Sequence, residues 1–193
     1  MNTDVFEKRE MMMYLKRLKT TAEPLYAPAI ELYESAFPTV ERRDEAEQLR
    51  VMAKDDYHFE LIMTEAGFCG IMLYWETAEF LFLEHFATLP ALRGQGIGSE
   101  ALELLKAKGK TVILEIEPPV DTLTRRRRGF YERCGFHLTA HDHLQTKYRP
   151  EDEDLPLRVL SFPHSVTATE YDRFYAYLQR EVACCPRSDE RRP

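Results

Sequence analysis

The stretch that most constrains the fold is residues 80–99, FLFLEHFATLPALRGQGIGS. Residues 80–88 are apolar or β-branched apart from Glu84 and His85, and they run into Leu89-Pro90, which predicts a buried strand and its end. Arg93-Gly94-Gln95-Gly96-Ile97-Gly98 follows directly. Glycines at alternate positions let the backbone turn tightly and bring several N–H groups to one point, while Ser99 and Glu100 open a helical pattern through Ala101, Leu104 and Leu105. A strand, a glycine turn and a helix in that order make an anion cradle. Unpaired N–H groups and the positive end of the helix dipole favour a phosphate there, each such interaction being worth roughly 0.3–1 kcal/mol when exposed and up to about 2 when partly buried.

Three kinds of phosphate ligand compete for such a cradle. A nucleoside triphosphate loop ends in Gly-Lys-Ser/Thr, and Gly98-Ser99-Glu100 stands in that place, so this reading fails. A dinucleotide fingerprint wants a third glycine where Ser99 stands, although Glu115 lies at about the ~20-residue distance of a ribose contact, so that reading stays open. The third pattern, Arg-Gly-Gln-Gly-Ile-Gly between a strand and a helix, resembles the pyrophosphate-binding segment of the GCN5-related N-acetyltransferase (GNAT) family, which binds acetyl-CoA. A second motif supports it: Arg128-Gly129-Phe130-Tyr131-Glu132-Arg133-Cys134-Gly135-Phe136 is similar to the end of that family's fourth helix and the start of the next strand, at about the family's separation from the glycine loop. The resemblance spans residues 12–162 and is specific for the coenzyme, not for the acetyl acceptor.

With 193 residues, 44% of them apolar and 31% charged, the chain is long enough for one globular domain with a real core. No run of ~18 apolar residues suggests a membrane span, and the polar, acidic start MNTDVFEKRE lacks the basic and apolar regions of a secretory signal. A cytoplasmic protein without membrane association is expected. Cys69, Cys134, Cys184 and Cys185 have neither disulfide-framework nor zinc spacing, so reduced thiols and no metal are expected. A net charge of −7 argues against nonspecific binding of nucleic acid and is compatible with a cationic amine.

In chain order, residues 11–19 predict a first strand, 29–36 a short helix, and 41–53 a charged helix with Ala46, Leu49 and Met52 or Ala53 as its apolar stripe. Residues 58–64 and 68–75 form a hairpin across Glu65-Ala66-Gly67, making an antiparallel meander with 80–88. After the helix at the glycine turn, which runs to about Lys108 and stops at Gly109, residues 110–117 predict a strand parallel to 80–88. Residues 122–134 are a helix carrying Arg125 to Arg128, and Gly135 ends it before a strand at 136–140. His137, His141 and His143 match no metal signature and are expected on the surface or in loops. Glu151 to Asp154 form a solvated acidic loop, 155–162 a last strand, and 167–183 an extra helix that packs on this domain or on a second copy. The tail from Pro186 is expected to be disordered. The fold class is therefore mixed α/β of the α+β type: a GNAT-like, mostly antiparallel central sheet flanked by helices, with an acetyltransferase domain over 1–162 and a C-terminal helix and tail over 163–193. A monomer or a homodimer is equally open.

Acetyl transfer to an amine needs the amine neutral, the thioester carbonyl polarised and the leaving thiolate protonated. The resemblance implies that main-chain groups of Phe86, Ala87 and Thr88 pair with the pantetheine arm and stabilise the oxyanion. It implies that Arg93, Gly94, Gln95, Gly96, Ile97, Gly98 and Ser99 hold the pyrophosphate, and that Tyr131 is the general acid toward sulfur. Thr124 stands where the family often has an asparagine that meets the pantetheine arm. Consecutive helical residues point ~100° apart, so Arg127 or Arg128 reaches phosphate while the other arginines face solvent. Glu84, an acid inside an apolar strand, is the candidate base, because an unpaired buried carboxylate is costly enough that such a residue is usually paired, protonated or functional. His85 points to the opposite face of a regular strand and serves only if a bulge intervenes. The expected function is acetyl-CoA-dependent N-acetylation of a primary amine on a small molecule or peptide; the alternatives are a non-catalytic acyl-CoA-binding regulatory module and a dinucleotide enzyme.

Overall fold

A computed structural model describes residues 12–183. The strands are β1 (Tyr14–Leu18), β2 (Tyr57–Thr64), β3 (Gly67–Glu76), β4 (Phe80–Thr88), β5 (Thr111–Ile116), β6 (His137–Leu138), β7 (His143–Leu144) and β8 (Pro156–Phe162). The helices are α1 (Tyr26–Ala36), α2 (Glu45–Met52), α3 (Ile97–Lys106), α4 (Thr122–Arg133) and α5 (Ala168–Tyr177), the last continuing into a wider turn over Leu178–Val182. The sheet order is β1-β2-β3-β4-β5-β8-β6, with β7 added on β8, and every pairing is antiparallel except β4 with β5. The fold expected from the sequence is the one observed.

Both faces of this sheet are covered, which is why β4 reads as a nearly continuous apolar run. Phe80 and Phe82 face α1, α2 and α5 together with Trp75, Phe174 and Leu178. Leu81 and Leu83 face α3 and α4 together with Leu102, Leu105, Leu114 and Tyr131. The C-terminal helix packs into the first of these layers, with Phe174, Leu178 and Val182 almost wholly buried. The tail expected from Pro186, Met11 of the first strand, and Cys184 and Cys185 lie outside the described residues. Among the described residues no helix is long and apolar enough to cross a membrane.

Two expectations are corrected. The second helix starts at Glu45 rather than residue 41, because Asp44 caps it by accepting from the Glu47 N–H at 2.9 Å, while Thr39–Glu41 form a separate short turn. Its buried face is Gln48, Val51 and Met52, and Leu49 is exposed. Gln48 donates to the Tyr57 hydroxyl at 2.9 Å, a polar anchor that apolar patterning does not register. The second correction is His143, which is fully buried in β7 rather than on the surface; His137 is exposed.

Candidate active site

The parallel pairing of β4 with β5 runs from Phe80 with Thr111 to Leu83 with Leu114 and then stops. Beyond it β5 continues on β8, Glu115 opposite Val159, while β4 continues on β3, Phe86 opposite Met72. The sheet therefore forks after Leu83. The cause lies in β4: Leu83 pairs with Tyr74 and His85 with Leu73, so Glu84 is an extra residue, a bulge that bends the strand away. Past the bulge the Leu89 N–H donates to the Cys69 carbonyl, and the Ala87 carbonyl lies so close to Gly70 that a Cβ there would sit 2.4 Å from it. Strand alternation then turns the main-chain groups of Phe86 and Thr88 to the open side of the fork. Of the three residues expected to pair with a ligand, Ala87 is committed to β3.

The glycine turn lies on one side of this fork. Gly94 and Gly96 have φ of +79° and +87°, left-handed values that side chains resist, and Gly96 is the residue that starts α3. Among the described residues the N–H groups of Gln95, Gly96, Ile97, Gly98 and Ser99 find no protein acceptor, as the first turn of a helix requires of most of them. The Gln95 side chain donates to the Ala91 carbonyl at 2.9 Å and braces the turn; Arg93 and Ser99 are exposed beside it. Gly98 binds the motifs together: a Cβ there would lie 3.3 Å from the Phe130 ring and 3.7 Å from the Phe86 ring. Next to Phe130, Tyr131 packs edge-on against Phe130 and Phe136, and burial pushes its phenol up to about 12.

Three other expected cofactor contacts are engaged elsewhere. Thr124 forms a capping box with Asp121, accepting from the Asp121 N–H at 3.1 Å and donating to its carboxylate at 3.0 Å, so its hydroxyl is spent on starting α4. Arg127 is paired with Glu117, and Arg128 with Glu132 at 2.7 Å. Both guanidinium groups sit at the surface of α4, held by these carboxylates.

Glu84, the expected base, is held in a closed network. Its side chain is 1% exposed and Arg43's is 0% exposed, and the two make a two-pronged pair at 2.7 and 2.8 Å. Trp75 Nε1 donates to Glu84 Oε2 at 3.0 Å and the Tyr148 hydroxyl to Oε1 at 2.8 Å. Burial, the largest single influence, would raise this carboxyl, but the Arg43 guanidinium, the His85 ring and the Tyr148 hydrogen bond together hold it below the ordinary carboxylate value. A carboxylate ionised and saturated by four donors is a poor base. Arg43 also donates to the Val182 carbonyl at 3.1 Å, tying the bulge to the C-terminal element. The bulge does bring His85 to the same face as Glu84. Its Nε2–H donates to the Glu41 carbonyl at 2.7 Å, and the ring packs edge-on against Tyr33 and Phe37. Burial, partly offset by Glu84, keeps this imidazole below its ordinary value and hence neutral.

The acid that does lie free of a cation's fork grip is Glu115, the first β5 residue beyond the last pair with β4. It faces the layer opposite to Tyr131 because it alternates with Leu114 and Ile116. Its side chain is 14% exposed, and its Oε1 lies 2.5 Å from Nε2 of the fully buried His143. Burial raises the Glu41 carboxyl above its ordinary value, with the Glu117 charge adding to the effect and Arg127 offsetting part of it. The sequence carried one sign of Glu115, an acid within the apolar run VILEI, the same sign that drew attention to Glu84. Nothing in the sequence marks His143, which reaches Glu115 across 28 residues. Among the described residues no group of three or more side chains could hold a metal ion.

The profile of the acetyltransferase (GNAT) domain matches residues 49–138. A solved structure from Bacteroides thetaiotaomicron, assigned to the GNAT family, is 31% identical, covers 88% of this chain and 97% of its own, and superposes with a TM-score of 0.80. The Bacillus subtilis protein YjbC, assigned as an acetyltransferase, is 34% identical over 104 residues; the match covers 52% of each chain, about half the length of that relative. An aminoglycoside 6'-N-acetyltransferase solved with coenzyme A shares the fold at a TM-score of 0.55 and 13% identity, covering 79% of this chain and 99% of its own. This chain belongs to the GNAT acetyltransferase family.

Proposed function

We propose that this protein transfers an acetyl group from acetyl-CoA to a primary amine of a small molecule or peptide, with Glu115 in place of Glu84 as the base and Tyr131 as the acid. The observation that carries the reading is the fork between β4 and β5, with free main-chain groups of Phe86 and Thr88 on one edge and the unpaired N–H groups of Gln95 to Ser99 at its mouth. Residues of this kind fit an extended, amide-bearing chain ending in a pyrophosphate. One structural neighbour was solved with coenzyme A, which supports the same ligand here. The site residues, the amine acceptor and a cytoplasmic location are all parts of this proposal.

Acetyl-CoA, when bound, supplies the activated thioester. The N–H groups at the start of α3 bind the diphosphate, and the α3 dipole adds to them. The Phe86 and Thr88 main chain orients the arm, and an N–H on that edge meets the carbonyl oxygen where negative charge grows. Glu115, on one face of the fork, accepts a proton from the incoming ammonium. Tyr131, on the other, stays protonated throughout the neutral range because burial holds its phenol near about 12, so it has a hydrogen to give to the departing sulfur.

Isothermal titration of the protein with acetyl-CoA, with NAD as the control ligand, tests the foundation. Acetyl-CoA binds and Gly96→Val abolishes it, since a β-branched residue resists φ near +87°. Binding of NAD in preference, or no binding by folded protein, would sink the proposal. Consumption of acetyl-CoA with an amine panel then separates an enzyme from a non-catalytic binding module.

A further inference from the structure

The main-chain edge of Phe86 and Thr88 owes its place to a residue inside the neighbouring strand. Gly70 sits within β3, opposite Thr88 on β4 and Ile62 on β2. Its φ lies outside the left-handed region that Gly94 and Gly96 occupy, so the backbone there suits any residue. What excludes a side chain is space. A Cβ built on Gly70 would overlap the Ala87 carbonyl, and it would stand 2.9 Å from Thr88 Cα and 3.2 Å from the end of the Ile62 side chain. A regular antiparallel pair does not bring a Cβ onto its neighbour's main chain, because Cβ atoms point out of the sheet. The end of β4 therefore leans across β3 at this point, the kind of close backbone approach that a glycine inside a strand marks.

The neighbouring residues carry the effect toward the cradle. Phe68 pairs with Met63 and Gly70 with Ile62, so Cys69 is an extra residue in β3, and its carbonyl accepts from the Leu89 N–H at 2.8 Å. Leu89 is where the chain leaves β4 for the glycine turn, so one contact region sets both the edge and the path to the cradle. The two strands differ in how far they can yield. β3 is held between β2 and β4, with Ile62, Ile71 and Met72 fully buried beside Gly70. Past Leu83, β4 has parted from β5 and keeps β3 as its strand neighbour. A side chain at residue 70 is thus accommodated by the end of β4, which must shift by about 1 Å to regain an ordinary carbon contact.

We propose that Gly70 is a positioning residue for acetyl-CoA: its missing side chain lets the end of β4 lean onto β3 and so holds the Phe86 and Thr88 main chain in line with the cradle. The inference rests on the acetyl-CoA reading proposed above. Gly70 touches neither coenzyme nor acceptor and acts through Ala87 and Thr88. The cradle does not follow a shift of β4, because α3 is anchored separately by the buried Ala101, Leu102 and Leu105. A coenzyme that must meet both the edge and the cradle then fits only one of them.

Calorimetric titration of the full chain with acetyl-CoA, beside amide hydrogen exchange without ligand, tests the assignment. Gly70→Ala still unfolds cooperatively by Trp75 fluorescence, exchanges its Leu89 N–H faster than the parent, and binds acetyl-CoA about 10–100-fold more weakly, the scale of a 1 Å misplacement. Adding Ile62→Ala to Gly70→Ala removes the flexible contact and does not restore binding, because the main-chain overlap remains. Gly67→Ala is the control within the same strand: it strains a turn residue with φ of +121° but meets no atom, so it lowers stability and leaves the Kd within about twofold. Unchanged affinity in Gly70→Ala, rescue by Ile62→Ala, or equal weakening in Gly67→Ala overturns the proposal. A Gly70→Ala chain that does not fold also overturns it, since the displacement would then fall on the sheet and not on the end of β4. A parent that binds no acetyl-CoA removes the reading on which the inference rests, whereas unchanged Leu89 exchange in Gly70→Ala refutes the placement of β4 whatever the ligand.

Discussion

Replacing Arg43 with leucine strands a buried charge, and the size of the effect follows from its surroundings. Arg43 and Glu84 are 0% and 1% exposed, and the guanidinium also lies over the Tyr57, Trp75 and Tyr148 rings at 5.8, 5.5 and 5.0 Å from their centroids. Breaking one partner of a buried pair costs about 3–5 kcal/mol, because the remaining charge has no compensation. For a chain of this size each kcal/mol lowers the melting midpoint by about 2–4 °C, so Arg43→Leu falls by about 6–20 °C. Arg43→Leu combined with Glu84→Leu recovers most of the loss, since apolar replacement of both partners is often close to neutral. It does not recover all of it: Trp75 Nε1 and the Tyr148 hydroxyl lose their acceptor, at about 1–3 kcal/mol for each donor left unsatisfied. Trp75 is the only tryptophan, so urea unfolding followed by its fluorescence reads this network directly. Losses in the double variant that equal the sum of the single ones would refute the coupling. The pH dependence has a fixed sign. Glu84 has a depressed folded value, so its contribution is complete above the unfolded carboxyl value of about 4.3 and is lost as pH falls through the folded one. The Arg43→Leu penalty accordingly shrinks in acid.

Three further outcomes follow from the site. Gly98→Val presses its side chain into the Phe130 and Phe86 rings, 3.3 and 3.7 Å from a Cβ, and weakens acetyl-CoA binding by calorimetry more than Gly109→Ala, at the far end of α3, does. Tyr131→Phe and Glu115→Gln each lower kcat by about 10²–10⁴-fold, the usual worth of a general acid or base, while the Kd for acetyl-CoA measured by titration stays within about twofold. Asp121→Ala removes the capping box of α4 and costs about 0.5–2 kcal/mol in urea unfolding, and Leu49→Lys on the exposed side of α2 changes stability by no more than about 0.5 kcal/mol.

Local chemistry made much of this protein legible from its residues alone. The apolar run Phe80–Thr88, the alternate glycines that only a left-handed turn explains, and the Phe130-Tyr131 motif ended by Gly135 are neighbours in sequence, and each dictates its own backbone. The parallel pairing of β5 with β4 was implied as well, by the length of the crossover between them, though the fork beyond Leu83 was not. What the tertiary structure alone decided were the partners of charges. Glu84 and Glu115 look alike as acids within apolar strands, yet one meets Arg43, Trp75 and Tyr148, while the other, among the described residues, pairs with His143 at the open end of the fork. The separation of those partners along the chain, 41 residues for Arg43 and 28 for His143, puts them beyond any periodicity. The bulge at Glu84 is equally invisible in the sequence, because it costs no special residue; it exists because the ion pair beneath it holds an extra residue in place, and it turns His85 to the face a regular strand would have denied it.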